Sequence, residues 1–349
     1  MSPISATLIY VTCYLTDATS RRETLRVRRF SPTGLTLTDE SVRQRHGRGC
    51  ATVRVTHASV GVTDVMAARG DYLFHPLPGF TPGYDFVGTI QRLPVDGDSG
   101  FRVGQRVAGI LPRMGAHAAT LSVPLSLLVP VPDDLDSLIA ATTPLDAVTA
   151  AFALDAVALN SGQILVQGVG GSVGAWVAQL AVARGLRVLG TVSARSRGYA
   201  EQLCTDVFDY RDAAWPSQVL DASGGGVDGA VDHVGSKVVR QVVRPGGRVI
   251  RTAFGGEPGT QRTATVAGAL TSVLRRHGRP SERICSAPIL VTAHRNRYRA
   301  ALAHALEAVA SGCATAARPQ AYAITDYRQA FTAATRAIPG DKVVLTFPR

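Results

Sequence analysis

A chain of 349 residues and 36.7 kDa is long enough for two domains with separate cores, and at 46% hydrophobic and 18% charged residues it reads as globular rather than disordered. No apolar run reaches the length of a membrane span; Ala175 to Ala183 comes nearest, and it carries Gln179 and ends at Arg184. The net charge of +11 raises the question of nucleic acid, but Lys237 and Lys342 are the only lysines. The clustered arginines (Arg21, Arg22, Arg26, Arg28, Arg29, then Arg43, Arg45, Arg48) have only Phe30 beside them and no recognition-helix or RNA-module signature. Nucleic acid is therefore not an expected partner, nor is a membrane. The five cysteines, Cys13, Cys50, Cys204, Cys285 and Cys313, form no C-x-x-C pair. With no basic n-region in MSPISATLIYVTCYL, this is the usage expected of a cytoplasmic protein, neither a disulfide scaffold nor a zinc cage.

In chain order, Ala6 to Leu15, Thr24 to Phe30 and Ala51 to Val55 read as strands, with a turn at Ser31-Pro32-Thr33-Gly34. The arginine-rich stretch between them faces water, or forms a rim around an acidic ligand. A short helix follows to Arg69, then the turn Gly70-Asp71-Tyr72 and a loop stiffened by Pro76, Pro78 and Pro82. Gly83 to Gly88 and Val103 to Gly109 add further strands and turns, and short strands punctuated by glycine and proline describe a barrel-like β domain. The periodicity changes near residue 130. Leu135 to Ala141 and Ala147 to Leu159 read as helices, and from Gln163 strands and helices alternate, which calls for a parallel sheet covered on both faces. Within 265–300 the reading is a helix over Ala264 to Arg275 and a short strand at Ile289 to Val291. Tyr298 to Ser311 is helical. A closing strand, helix and strand (Ala321 to Ile324, Asp326 to Ile338, Lys342 to Phe347) return to complete the first domain.

The stretch with chemical content is Ile164 to Val192. An apolar run meets Gly168, Gly170, Gly171 and Gly174, an apolar-periodic helix follows, and a second apolar run begins after Gly185. Strand, glycine turn, helix and strand form the first βαβ unit of a dinucleotide-binding fold, in which backbone N–H groups approach a diphosphate at the helix N-terminus. The third glycine stands one place later than in a strict G-x-G-x-x-G. After the second strand comes Ser193-Ala-Arg195-Ser-Arg197, with no carboxylate to bind ribose hydroxyls. A hydroxyl and arginines attract a 2′-phosphate instead, which favours NADPH over NADH.

Several blocks together resemble the medium-chain dehydrogenase/reductase superfamily, and within it the zinc-independent quinone oxidoreductase and enoyl reductase branch. They are Arg69-Gly-Asp-Tyr72, Gly83-Tyr-Asp-Phe-Val-Gly88, Val103-Gly-Gln-Arg-Val107, Leu128-Val-Pro-Val-Pro132, the Pro144 to Ala151 helix, Val166 to Gly174, Asp232-His-Val-Gly235 and Gly340-Asp-Lys-Val-Val-Leu345. The resemblance implies an α/β chain with a GroES-like β-rich catalytic domain, residues 1–130 plus 310–349, and an inserted Rossmann NADPH-binding domain, residues 131–309. It also implies a cleft between them and a homodimer built by joining Rossmann sheets. In its terms Thr149 stands near the nicotinamide end; Gly168, Gly170, Gly171, Val173 and Gly174 form the diphosphate loop; and Ser193, Arg195 and Arg197 hold the 2′-phosphate.

Departures from the family pattern matter equally. Zinc-dependent members carry cysteine and histidine where this chain has Gly61-Val62-Thr63-Asp64, and a histidine where it has Tyr84. No converging set of zinc ligands is visible. Related reductases often place asparagine or tyrosine at the positions of Gly61 or Val62, neither of which can donate a side-chain hydrogen bond here. Tyr72 is the best remaining candidate to orient a substrate oxygen or pass a proton; His75, His117 and His233 are weaker. The expected activity is NADPH-dependent reduction of a quinone or α,β-unsaturated carbonyl. A ketone reductase, a redox-neutral cyclase or isomerase, and a non-catalytic NADPH-binding protein stay open.

Overall fold

The computed structural model describes residues 19–31, 33–43, 49–94, 100–336 and 338–348. The expected strand at Ala6 to Leu15, with Cys13, and the side chains of Arg43, Arg45 and Arg48 lie outside what is described. In chain order the elements begin with β1 (Thr19–Val27), β2 (Leu35–Arg43), β3 (Cys50–Val60), α1 (Val62–Arg69), β4 (Asp85–Arg92), β5 (Arg106–Ile110), β6 (Thr120–Pro124), β7 (Leu128–Pro130), α2 (Ser137–Ala140) and α3 (Pro144–Val157). The alternating unit follows: β8 (Gln163–Gln167), α4 (Ser172–Ala183), β9 (Arg187–Val192), α5 (Arg197–Ala200), β10 (Asp206–Asp209), α6 (Trp215–Ser223), β11 (Val227–Asp232) and β12 (Val243–Arg251). Last come α7 (Gln261–Leu274), β13 (Ser281–Ile284), α8 (Ala287–Ala293), α9 (Arg295–Ala310), β14 (Arg318–Ala323), α10 (Tyr327–Thr335) and β15 (Asp341–Thr346).

Two large sheets result. One has the order β14-β15-β3-β4-β5-β7, with β6 also paired to β3, so the last two strands of the chain join the first part. The other is wholly parallel, in the order β10-β9-β8-β11-β12-β13. The middles of these central strands, Ile164 to Val166 in β8 and Gly229 to Val231 in β11, are apolar and buried, as a parallel strand covered on both faces requires. The strand order reverses between β8 and β11, and in open α/β sheets the crevice at such a switch point is where ligands bind. This is an α/β fold with a GroES-like β-rich part and a Rossmann-like part.

Three features differ from the sequence reading. The run Leu35–Arg43 forms a strand, and β1 and β2 make a separate antiparallel hairpin. Its arginines are exposed or half-buried and are paired: Arg21 lies 2.8 Å from Asp39, Arg26 lies 2.7 Å from Glu40, and Arg22 donates to the Thr120 carbonyl at 2.8 Å. Second, Ile289 to Val291 is not a strand but lies inside α8. Three apolar residues cannot distinguish the two periods, and Pro288 in the first turn favours a helix start. The strand of that region is β13, whose polar sequence SERI gave no apolar signal.

Helix α9 is tied to the first sheet by one phenol. Tyr298 is fully buried, and its hydroxyl donates to the Leu127 carbonyl at 2.7 Å while accepting the Ile110 N–H at 3.0 Å. Burial raises its pKa, so the proton needed for this bridge stays in place at neutral pH. Replacing Tyr298 by Phe leaves a buried N–H and a buried carbonyl unpaired. We expect a stability loss of about 1–3 kcal/mol, read as a lower urea midpoint with unchanged slope.

Candidate functional site

The glycine turn between β8 and α4 is built as a close-approach loop. Gly168 has φ +74°, a left-handed conformation that favours glycine, and a Cβ there would lie 2.5 Å from His233 Nε2. A Cβ on Gly174 would lie 2.5 Å from the Gly168 carbonyl oxygen and 2.9 Å from Val169 Cα, so only hydrogen lets α4 sit this close to the turn. This explains the late third glycine, because its work is helix packing. Gly171 is the N-cap of α4, and no side chain caps that helix, whose first-turn N–H groups thus face the end of the turn. Val173, half-buried, is the second residue of that turn.

At the end of β9 the chain enters a short turn in which the Ser196 N–H bonds back to the Ser193 carbonyl at 2.8 Å. A Cβ on Gly170 would lie 2.6 Å from Ser196 Cβ and 2.8 Å from its Oγ. Ser196 is therefore a hydroxyl seated on the glycine turn, in the same short turn as the Ser193 and Arg195 that the sequence reading selected. Arg195 is in the same turn, and Arg197 begins α5, where it pairs with Glu201 at 3.4 Å. That exposed i,i+4 pair is worth about 0.3–0.5 kcal/mol, so it yields readily to a stronger anion. Tyr210 and Arg211, which the sequence reading did not select, lie at the same corner. The Tyr210 N–H donates to the Val192 carbonyl at 3.0 Å, which brings both to this corner, and the Arg211 guanidinium lies over the Tyr210 ring at 5.8 Å. Both directly follow a strand end, a signal that Asp209-Tyr210-Arg211 did contain.

Tyr72 lies between α1 and β4, on a loop tied to the Rossmann-like part on both sides. Asp71 Oδ1 accepts the Gly259 N–H at 2.9 Å, and Arg262 donates to the His75 carbonyl at 3.0 Å while stacking over Phe30. Tyr72 thus stands at the junction of the two parts. Its hydroxyl is 2.7 Å from that of Tyr84, which is almost fully buried. Burial pushes the Tyr72 phenol up to about 12 against the opposing effect of the Tyr84 hydrogen bond; burial also raises Tyr84. Both phenols are protonated at neutral pH. His75 stacks on Phe80, and His117 is buried with Nε2 at 2.8 Å from the Ser59 carbonyl, so neither joins Tyr72 in a hydrogen bond.

Asp64, in the first turn of α1, spends its two oxygens on the N–H groups of Gly61 and Gly83, each at 2.8 Å. Asp85 accepts from Ser59 at 2.6 Å and from the Leu145 N–H at the start of α3 at 3.0 Å. Helix α3 carries Thr149, whose hydroxyl donates to the Leu145 carbonyl at 2.7 Å, leaving only its acceptor side for another group. Among the described residues, no group of three or more His, Cys, Asp or Glu side chains is placed to hold a metal ion. Likewise, no described helix is long and apolar enough to cross a membrane.

Known proteins match this arrangement. Residues 47–133 match the family described as alcohol dehydrogenase GroES-like domain, and residues 172–276 the family described as zinc-binding dehydrogenase. The chain is 32% identical over 185 residues to the human synaptic vesicle membrane protein VAT-1 homolog-like, across 52% of this chain and 43% of that protein. It is 29% identical over 224 residues to trans-enoyl reductase traG of Penicillium crustosum, across 56% of this chain and 61% of that one. The matched regions thus span about half the length of these relatives. The crystal structure of JamJ enoyl reductase superposes with a TM-score of 0.80 over 94% of this chain and 100% of that one, at 20% identity, a likeness of fold.

Proposed function

We propose that this chain, which belongs to the medium-chain dehydrogenase/reductase superfamily, is an NADPH-dependent reductase of a quinone or an α,β-unsaturated carbonyl and works without zinc. The observation that carries this reading is the glycine turn at the switch point, flanked at the end of β9 by the segment Ser193 to Arg197, which holds hydroxyls and arginines and no carboxylate of its own. The close approach that Gly168, Gly170, Gly171 and Gly174 permit fits a dinucleotide diphosphate. In this reading the first-turn N–H groups of α4 hold the diphosphate, with Val173 beside them. Ser193, Ser196, Arg195 and Arg197 hold the 2′-phosphate, and Thr149 borders the nicotinamide. NADPH, when bound, supplies the hydride.

Tyr72 then orients the substrate oxygen and stabilises the charge that develops there. Its phenol keeps its proton through the neutral range, so it acts as a hydrogen-bond donor and not as a base. Gly61 and Val62 offer no second donor, which leaves a redox-neutral cyclase or isomerase as the other reading. We assign residues 1–130 plus 310–349 to the catalytic domain and 131–309 to the NADPH-binding domain. The free Cys50, Cys204, Cys285 and Cys313 support a reducing, cytoplasmic setting.

We also propose a homodimer. Strand β13 is a sheet edge, and beside it α7 exposes Val266, Leu270, Val273 and Leu274, with Ile284 exposed on the strand itself. An unpaired edge beside apolar side chains suits a second copy of the chain. Light scattering should give twice the chain mass, and Leu270→Asp should give the chain mass with unchanged circular dichroism. A wild-type monomer overturns the dimer.

The activity is tested by fluorescence titration with NADPH and NADH, then by absorbance of the reduced nicotinamide with a panel of quinones and enones. Tighter NADPH binding and substrate-dependent oxidation are expected; binding with no oxidation by any panel member favours the redox-neutral reading. Arg195→Ala should weaken NADPH about tenfold and leave NADH within twofold, the scale of one charge-assisted hydrogen bond. Equal weakening of both nucleotides counts against the 2′-phosphate role. Tyr72→Phe should lower kcat about tenfold or more with NADPH affinity unchanged. An unaltered kcat removes Tyr72 from the reaction.

A further inference from the structure

His233 directly follows β11, on the far side of the switch point from the ribose corner. Its position is fixed by the turn around it. Asp232 accepts the N–H groups of Val234, Gly235 and Ser236 at 2.7, 3.1 and 2.9 Å and pairs with the buried Arg251. The turn thereby lays the imidazole against the glycine loop. A Cβ on Gly168 would lie 2.5 Å from His233 Nε2, and one on Gly171 would lie 3.5 Å from it. Nδ1, at the other side of the ring, is buried without a hydrogen-bond partner. Nothing described here uses this ring. Packing does not require a polar ring at this place, and a buried unpaired nitrogen is a cost that an apolar side chain would avoid.

In an open parallel sheet a dinucleotide runs from the strand beyond the glycine turn, across the turn, and on over the strand past the reversal. Here that path leads from β9 over Gly168–Gly171 to the end of β11, and Nε2 lies beside it. We propose that His233 is a cofactor-contacting residue whose Nε2–H donates to the diphosphate of the bound dinucleotide as it crosses from β8 to β11. This rests on the reading of the site as a dinucleotide site. It adds a side-chain donor to a loop otherwise built from backbone N–H groups, on the half of the cofactor that leads to the reacting ring. Burial holds the imidazole below its ordinary pKa, with Asp232 and Asp146 acting the other way. The neutral ring has one proton to place, and with no acceptor at Nδ1 it belongs on Nε2.

Fragments of the cofactor separate this role from a structural one. Adenosine 2′,5′-bisphosphate carries only the adenosine-side phosphate of the diphosphate, whereas 2′-phospho-ADP-ribose and NADP⁺ add the nicotinamide-side phosphate, which is the one beyond the turn and nearer His233. Calorimetric titration of His233→Leu should show about tenfold weaker binding of the two longer ligands, with the bisphosphate within twofold of wild type. His233→Gln, whose amide nitrogen reaches the place of Nε2, should recover most of that loss. Equal weakening of all three ligands, or of none, overturns the proposal. Should the leucine variant not fold, ¹⁵N spectra of the wild-type histidines decide. NADP⁺ should move the His233 Nε2 resonance and the bisphosphate should not; an unmoved resonance with NADP⁺ bound overturns the proposal. A wild-type chain that binds none of the three removes the dinucleotide reading itself, whereas wild-type binding that the variants leave unaltered removes only the role of His233.

Discussion

The Lys342 ammonium is buried, and its position holds the two parts of the molecule together. It lies 2.5 Å from Asp146 Oδ2 in the first turn of α3, with Asp85 of β4 also acting on it. Burial alone would lower the lysine pKa, but Asp146 and Asp85 more than compensate and raise it. Asp85 is raised by its own burial, against the pull of Lys342, Ser59 and the Leu145 N–H. Taking any one of these charges out of water without its partners would cost several kcal/mol. The last strand, the linking helix and β4 are therefore held to one arrangement. That arrangement sets the start of α3, and with it Thr149, relative to the loop that leaves β15.

The site depends on a second set of constraints, which act through the backbone. Asp64 pins Gly61 and Gly83, and Gly83 (φ +92°) fits closely against His117. Gly83 precedes Tyr84 directly, so the position of the buried phenol follows from the cap of α1. Asp71 and His75 then fasten the loop carrying Tyr72 to Gly259 and Arg262 on the other side of the junction. The contacts that place Tyr72 thus come from both parts of the chain. Relative movement of the two parts would have to break two hydrogen bonds and the stacking of Arg262 on Phe30 before Tyr72 could shift.

What the sequence made legible was local. The glycine turn could be read because strand, turn and helix are consecutive, and each glycine's role follows from what lies within a few residues of it. The return of β14 and β15 to the first sheet, and the βα alternation between, followed from periodicity. Less legible were elements whose residues carry no periodic apolar signal. In β2, Asp39 and Glu40 interrupt the alternation because they face the arginines of β1, and β13 carries a buried Glu282 that pairs with Arg251 and Arg240. Individual side-chain contacts between distant segments were not legible. Nothing near Gly168 announces His233, 65 residues later, and nothing near Gly170 announces Ser196. Such pairings depend on which strands lie side by side, and that is a property of the sheet order.

The Tyr72–Tyr84 pair illustrates how a long-range contact fixes chemistry that residue identity leaves open. Either hydroxyl is able to donate in a 2.7 Å contact. Tyr84 is nearly inaccessible, however, and Tyr72 is its hydrogen-bond partner among the described residues. If Tyr72 donated, the Tyr84 proton would be buried without an acceptor, at a cost of about 1–3 kcal/mol. If Tyr84 donates, its proton is satisfied, and the Tyr72 proton is free to point away from the core. The second arrangement is preferred by that margin, roughly fivefold to a hundredfold in population. Burial of a residue that never reaches the junction thus makes its neighbour an outward donor. A phenylalanine at 84 would leave the Tyr72 ring in place but free its hydroxyl to turn inward or outward. The buried Tyr84 therefore directs the Tyr72 proton toward the junction.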